Sequence, residues 1–228
     1  MIRYAVYLTP AADTALWAFG SQAVGYDSVT GEALTLPDSP FHCRPDAMAL
    51  TEEPRRYGFH GTLKAPFELA EAHTEEELLT AARVFARART PFEVPAMTVK
   101  ALSRFVALVP AAPSAELAGL AADCVTAFEP FRAPLTEADL ARRLRASLSE
   151  PQRAHLARWG YPYVFDEFRF HMTLTGPIED DAVRAGAARS LAALYESIDG
   201  PMTVDAITIE VQPARDHRFR VLERIEFG

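Results

Sequence analysis

Apolar residues follow two rhythms along this chain, and where each starts and stops predicts most of its elements. At "RYAVYLTP" (3–10), β-branched and aromatic residues crowd together and end at Pro10, which predicts a first strand. Leu16, Phe19 and Ala23 then fall at helical spacing, with Gly25 as a stop, so 11–25 predicts a helix. Residues 25–56 keep neither rhythm and are rich in Pro and turn formers. They predict a long, partly irregular connection, and such a length suggests that it helps cover a site. The clearest helix is 73–89, where Thr74 and Glu77 make a capping box, acids fill the first turn and arginines the last.

Residues 92–110 predict two strands around a break at Lys100–Arg104. Helices follow at 113–130, at 136–149 behind a Thr136–Asp139 capping pattern, and at 149–160, where Ser149 caps, Pro151 sits in the first turn and Gly160 stops. A helix within 180–198 and strands within 202–213 and 219–227 close the chain. Several strands follow one another directly, which predicts an α+β fold with antiparallel pairing rather than a doubly wound parallel sheet. No low-complexity linker divides the sequence, so 1–228 reads as a single domain.

Phe-His-x-Thr-Leu occurs twice, at 59–63 in "YGFHGTLKAPF" and at 170–174 in "FRFHMTLTGP". A pattern repeated once predicts two similar lobes around one cleft, not a solenoid, which needs three or more repeats. Side chains alternate along a strand, so His60, Thr62 and Lys64 are expected on one face, opposite Phe59, Gly61 and Leu63. By the same parity Arg169, His171, Thr173 and Thr175 share a face, opposite Phe170, Met172 and Leu174. One face anchors each strand in a core, and the other presents an imidazole beside a hydroxyl. Tyr57 is expected either in the core or at the groove rim.

Two such strands facing a cleft suit phosphodiester cleavage without a metal. One neutral histidine takes a proton from the attacking water, and the other, protonated, gives one to the leaving oxygen. Threonine hydroxyls and an ammonium such as Lys64 can hold the non-bridging oxygens as their charge shifts. Arg169, Thr175 and, from outside both segments, Arg132 are further candidate anion contacts. A metal site is disfavoured, because two histidines without a third ligand at useful spacing are too few. His42, His73, His155 and His217 fall outside the repeated frame and are expected at the surface. "WGYPY" (159–163) is expected to pack at a helix end.

Composition adjusts this picture in three places. With 49% hydrophobic and 24% charged residues, the chain has enough apolar mass for a core. Thirty-one acidic residues against 23 basic ones give a net charge of −8, which disfavours long nucleic acid as a partner but leaves room for a small anionic substrate. Two cysteines, Cys43 and Cys124, form no metal-spaced pair and read as free thiols. With neither a signal-like start nor a membrane-length apolar run, a cytoplasmic location is expected.

The paired segments resemble the signature of the two-histidine (2H) phosphoesterase superfamily, which includes RNA 2′,3′-cyclic phosphodiesterases and enzymes acting on 2′-5′ phosphodiesters. The flanking "RYAVYLTP", "RRYGFHGTLKAPF", "FRAPLTEADLARRL", "WGYPYVFDEFRFHMTLTGP" and "FRVLERIEF" are similar to a bacterial branch associated with phosphonate metabolism. The resemblance covers most of the chain, with little from 11–50. It implies a bilobal fold built on two antiparallel sheets, with helices outside and one central groove. It also implies His60 and His171 as the acid–base pair, Thr62 and Thr173 as phosphate holders, and no cofactor. The substrate it implies is a small cyclic or nucleotide-like phosphodiester. A non-catalytic sensor for a nucleotide or phosphorylated sugar is the alternative.

Overall fold

Strand β1 (Arg3–Leu8) is buried at all six positions because it lies inside a sheet and is covered on both faces. The computed structural model describes residues 1–198 and 200–228. In it β1 pairs antiparallel with β2 (Gly61–Phe67) on one side and β8 (Ala206–Gln212) on the other. Outward from β2 come β6 (Met172–Thr173), β5 (Phe105–Pro110) and β4 (Met97–Leu102); outward from β8 comes β9 (Arg220–Glu226). All neighbours in this seven-stranded sheet are antiparallel. A second, two-stranded antiparallel sheet pairs β3 (Phe92–Val94) with β7 (Met202–Val204). The expected α+β class with two antiparallel sheets is therefore the one observed. Both histidine strands belong to the larger sheet.

Tyr4, Val6 and Leu8 of β1 point into the main core with Leu63, Phe67, Leu108, Met172 and Ile209 of other strands. Helices α1 (Ala15–Val24), α4 (Glu75–Arg87), α5 (Ala115–Ala127) and α8 (Asp181–Tyr195) close that face with Phe19, Leu78, Leu117 and Leu191. The predicted caps hold. Thr74 and Glu77 form a capping box, Thr136 accepts from Asp139 N at the start of α6 (Glu137–Arg143), and Ser149 caps α7 (Glu150–Trp159). Between β4 and β5 the turn falls at Ser103–Arg104, inside the expected break, and a further break at Pro95–Ala96 separates β3 from β4.

The long connection contains two short helices, α2 (Ala47–Leu50) and α3 (Glu52–Arg55), that its Pro-rich composition does not reveal. It is tied down by a buried relay. Phe41 N donates to Ser190 Oγ of α8, Ser190 Oγ to Ser39 Oγ, and Ser39 Oγ to His42 Nδ1 at 2.8 Å. His42 Nε2 then donates to Ala23 O at 3.0 Å. His42 is thus buried, correcting the surface expectation, because its two ring nitrogens both find partners inside.

Candidate active site

The face of the large sheet opposite those helices carries the two repeated segments side by side. β2 meets β6 at the pair Gly61–Met172. Antiparallel partners run in opposite directions, so His60 comes opposite Thr173 and Thr62 opposite His171. Direct cross-strand neighbours stand about 5 Å apart at Cβ and diagonal ones about 7–8 Å apart. The two imidazoles are therefore diagonal corners of a square and the two threonines the other corners, with a local two-fold relation through Gly61–Met172. A tetrahedral phosphorus placed over that square has one imidazole on each side.

The apolar residues of each frame hold this arrangement from behind. Phe59 is fully buried against Gly20 of α1, where an added Cβ would come within 2.0 Å of its ring. Phe170 lies over Gly61, whose missing Cβ makes the room; an added one would stand 2.5 Å from the ring. Each strand is thus set in depth by one aromatic ring on a glycine.

Both rings are oriented in the same way. His60 Nδ1 donates to Gly58 O at 3.0 Å, and His171 Nδ1 donates to Arg169 O at 2.8 Å, each to the carbonyl two residues back. A carbonyl only accepts, so Nδ1 carries the hydrogen and Nε2 faces the ligand space. Thr62 Oγ1 lies 3.3 Å from His60 Nε2. Tyr7 of β1 stacks on His60 with ring centroids 3.8 Å apart, and Phe105 flanks His171 at 5.6 Å. Burial pushes the His60 imidazole down to about 4, with a further push from the charge of His171. His60 is therefore neutral across the physiological range.

The carbonyl that orients His60 depends on Gly58, which has φ +75° and whose added Cβ would meet Ser28 at 2.8 Å. Gly58→Ala is expected to turn that carbonyl away and lower kcat by about 10²-fold, as a misplacement of about 1 Å does. Steady-state rates beside a thermal melt check this, and an unchanged kcat in a folded variant counts against the orienting role.

A cavity of about 570 Å³ opens over the square. His60, Thr62, His171, Thr173 and Thr175 line it, as sequence parity places them. Thr175, however, is fully buried; its Oγ1 accepts from Val106 N and donates to Gly176 O, so the hydroxyl is already used. Lys64 is corrected. A bulge at Leu63–Lys64 shifts the register, so that Thr62 pairs with Tyr7 but Lys64 pairs with Val6, and both bulge residues turn to the core. There the Lys64 ammonium donates to Val125 O and, at 2.8 Å, to Glu129.

Arg132 shares that Glu129 at 2.6 Å and packs under Gly160, outside the histidine cavity. Arg169 is exposed and donates to the carbonyls of Asp166 and Phe168, because the chain before Met172 is irregular and strand parity does not reach it. Residues that parity did not single out complete the wall: Tyr7, Phe105, Tyr161 of "WGYPY", and Arg3, Arg142 and Arg143. Tyr57 lies at the rim, stacked on Phe219, and Glu53, Pro54 and Arg56 at the end of the long connection form another side. Among the described residues no three His, Cys, Asp or Glu side chains converge in a metal-holding group, and no helix is long and apolar enough to cross a membrane. Both cysteines are free.

The family described as "Protein of unknown function (DUF1045)" matches residues 62–220. Among curated proteins, ribose 1,5-bisphosphate phosphokinase PhnN of Janthinobacterium sp. (strain Marseille) is 41% identical over 234 residues, which take in 100% of this chain and 51% of that protein. The protein of the same name from Laribacter hongkongensis (strain HLHK9) is 32% identical over 224 residues, 96% of this chain and 50% of its own. The chain thus spans about half the length of the curated relatives it matches. Among solved structures, one titled as a phosphoesterase aligns with TM-score 0.42 and 14% identity, over 99% of this chain and 98% of that one. A conserved protein of unknown function from Agrobacterium tumefaciens str. C58 aligns with TM-score 0.44 and 11% identity, over 100% and 86%.

Proposed function

The chain belongs to the DUF1045 family, and from the repeated segments and their two diagonal imidazoles we propose that it is a metal-independent phosphoesterase of the two-histidine type. Its substrate is a small cyclic or nucleoside-linked phosphodiester. The observation that carries the reading is the matched pair of Nδ1-to-carbonyl bonds, which aims both Nε2 atoms into one cavity. His60, neutral, accepts the proton of a water whose oxygen attacks phosphorus. The bond from phosphorus to the leaving oxygen breaks, and His171 in its protonated form supplies the proton that oxygen needs. Thr62 and Thr173 hold the non-bridging oxygens, whose charge rises in the transition state.

The relatives' name mentions a ribose bisphosphate and supports sugar-phosphate chemistry, while the link to phosphonate metabolism rests on the resemblance of the flanking segments. Their phosphokinase activity is not carried over. This sequence has no Gly-x-x-x-x-Gly-Lys-Ser/Thr stretch, so no residue here is assigned to nucleotide phosphoryl transfer.

The test is a hydrolysis panel with EDTA-treated protein: nucleoside 2′,3′-cyclic phosphates, cyclic ribosyl phosphates, short 2′-5′ oligonucleotides and bis-p-nitrophenyl phosphate. Turnover that survives chelation is expected. Activity that disappears with EDTA and returns with a divalent metal overturns the mechanism, and binding without product supports a sensor instead. The pH profile adds an independent check. His60 loses its base function only when protonated, so the acid limb of kcat/KM is expected at pH about 4, well below the ordinary imidazole value.

A further inference from the structure

The groove carries more positive charge than one phosphodiester needs. The protein has a net charge of −8, yet the cavity over His60 and His171 is lined by Arg3, Arg56, Arg142, Arg143 and Arg215 against a single acid, Glu53. At one end, Arg3, Arg142, Arg143 and Arg215 gather around two carboxylates, Glu68 and Asp139. Arg215 takes up both, at 2.6 Å from Asp139 and 3.1 Å from Glu68, and Arg142 shares Asp139 at 2.8 Å. Arg3 and Arg143 have no carboxylate partner among the described residues.

Neither of these two is an ordinary surface cation. Arg3 is 9% exposed, and its Nε and one terminal nitrogen both bond the same amide oxygen of Gln212. Arg143 lies over the Tyr161 ring at 5.1 Å, and its Nε is buried with no hydrogen-bond partner among the described residues. Burial pushes both guanidinium groups below their ordinary range, and the charges of Arg142 and of neighbouring arginines add to the push. A desolvated guanidinium without a counter-ion is costly, and a matching anion relieves that cost.

Resting on the phosphodiesterase reading, we infer that the substrate also carries a phosphate monoester, bound between Arg3 and Arg143. Two guanidinium groups suit a dianionic group with three free oxygens: Arg143 bonds no carboxylate among the described residues, and Arg3 keeps the terminal N–H groups that Gln212 does not take. Position agrees. Arg3 and Tyr7 share one face of β1 four residues apart, about 13 Å along the strand, and Tyr7 is the residue stacked on His60. Long side chains reaching from the Arg3 end leave room for one sugar ring between the two phosphates. The substrate class is therefore a phosphorylated sugar or nucleotide that also bears the diester, rather than a bare nucleoside cyclic phosphate.

A matched pair of substrates tests this: adenosine 2′,3′-cyclic phosphate with and without a 5′-phosphate. In wild type the 5′-phosphorylated compound is expected to have kcat/KM higher by about 10–100-fold, mostly through KM, as for a charge-assisted bidentate contact. In Arg143→Met and Arg3→Met, checked for folding by thermal melt, that ratio collapses toward one. A wild-type ratio near one, or a ratio unchanged in a folded Arg143→Met, overturns the inference. If neither compound is turned over, the catalytic reading fails by itself, and ribose 5-phosphate is titrated into the His60→Ala/His171→Ala protein instead. Binding weakened about tenfold or more by Arg143→Met supports the phosphate subsite; no binding, or binding indifferent to that change, removes it.

Discussion

His60→Ala and His171→Ala are each expected to lower kcat by about 10²–10⁴-fold, the range a positioned acid or base contributes. The loss should appear in kcat, because in the proposed scheme each imidazole acts on a proton that moves only in the transition state. The double variant is expected to lose little more than the worse single one, since the two groups serve one in-line displacement and neither works alone. Folding should survive, because both rings project into a cavity and the frames are held by Phe59 and Phe170 behind them. Wild-type turnover by either single variant on a substrate that the protein hydrolyses would falsify the paired scheme. Additive losses in the double variant would mean that the histidines serve separate steps. Thr62→Val and Thr173→Val belong to the same measurement and are expected to cost less than either histidine.

How much of this site can be read from the sequence depends on where strand alternation holds. His60 and Thr62 share a face, as do His171 and Thr173, because each pair spans only two residues of extended chain. One step beyond, the rule breaks on both sides. The bulge at Leu63–Lys64 sends Lys64 into the core to meet Glu129, and the irregular backbone before Met172 leaves Arg169 exposed. Neither a bulge nor a strand only two residues long leaves a mark in the hydrophobic pattern. The neighbours Tyr7 and Tyr161 come from positions 53 residues before His60 and ten before His171, and no local rhythm announces them. Thr74, Thr136 and Ser149, by contrast, are legible because a cap is a local contact between a side chain and the backbone three residues on.

The sequence repeat also leaves its geometry open. Two similar frames predict two histidines facing one cleft, but alternation inside each strand says nothing about how the strands meet. The Gly61–Met172 pairing makes them neighbours in one sheet and brings each histidine opposite the other strand's threonine. The burial that keeps His60 neutral separates two frames that are chemically alike on paper, and in the proposed scheme it makes His60 the base.

Glu210→Gln is expected to change strongly how folding stability depends on pH between about 5 and about 8.5. Glu210 is fully buried on β8, where its one bonded oxygen accepts from Ser28 Oγ at 3.1 Å and the other has no partner among the described residues. Burial pushes its carboxyl up to about 8, against 4.5 for the ordinary group. With the folded-state value raised, the folded protein holds the proton between those two values while the unfolded chain has released it. Stability from this group is therefore full below pH 4.5 and is lost as pH rises through about 8. Between pH about 5 and about 8.5 the wild type should lose about 4 kcal/mol relative to Glu210→Gln, from the shift at about 1.4 kcal/mol per pH unit. Urea unfolding at the two pH values measures it, and parallel stability curves for the two proteins would show that Glu210 ionises normally. The position matters to the site as well. Glu210 holds Ser28, Ser28 packs where Gly58 has no Cβ, and the Gly58 carbonyl orients His60. A neutral carboxyl can hold that chain of contacts without placing an uncompensated charge beneath Tyr7, whose hydroxyl is itself held protonated by burial.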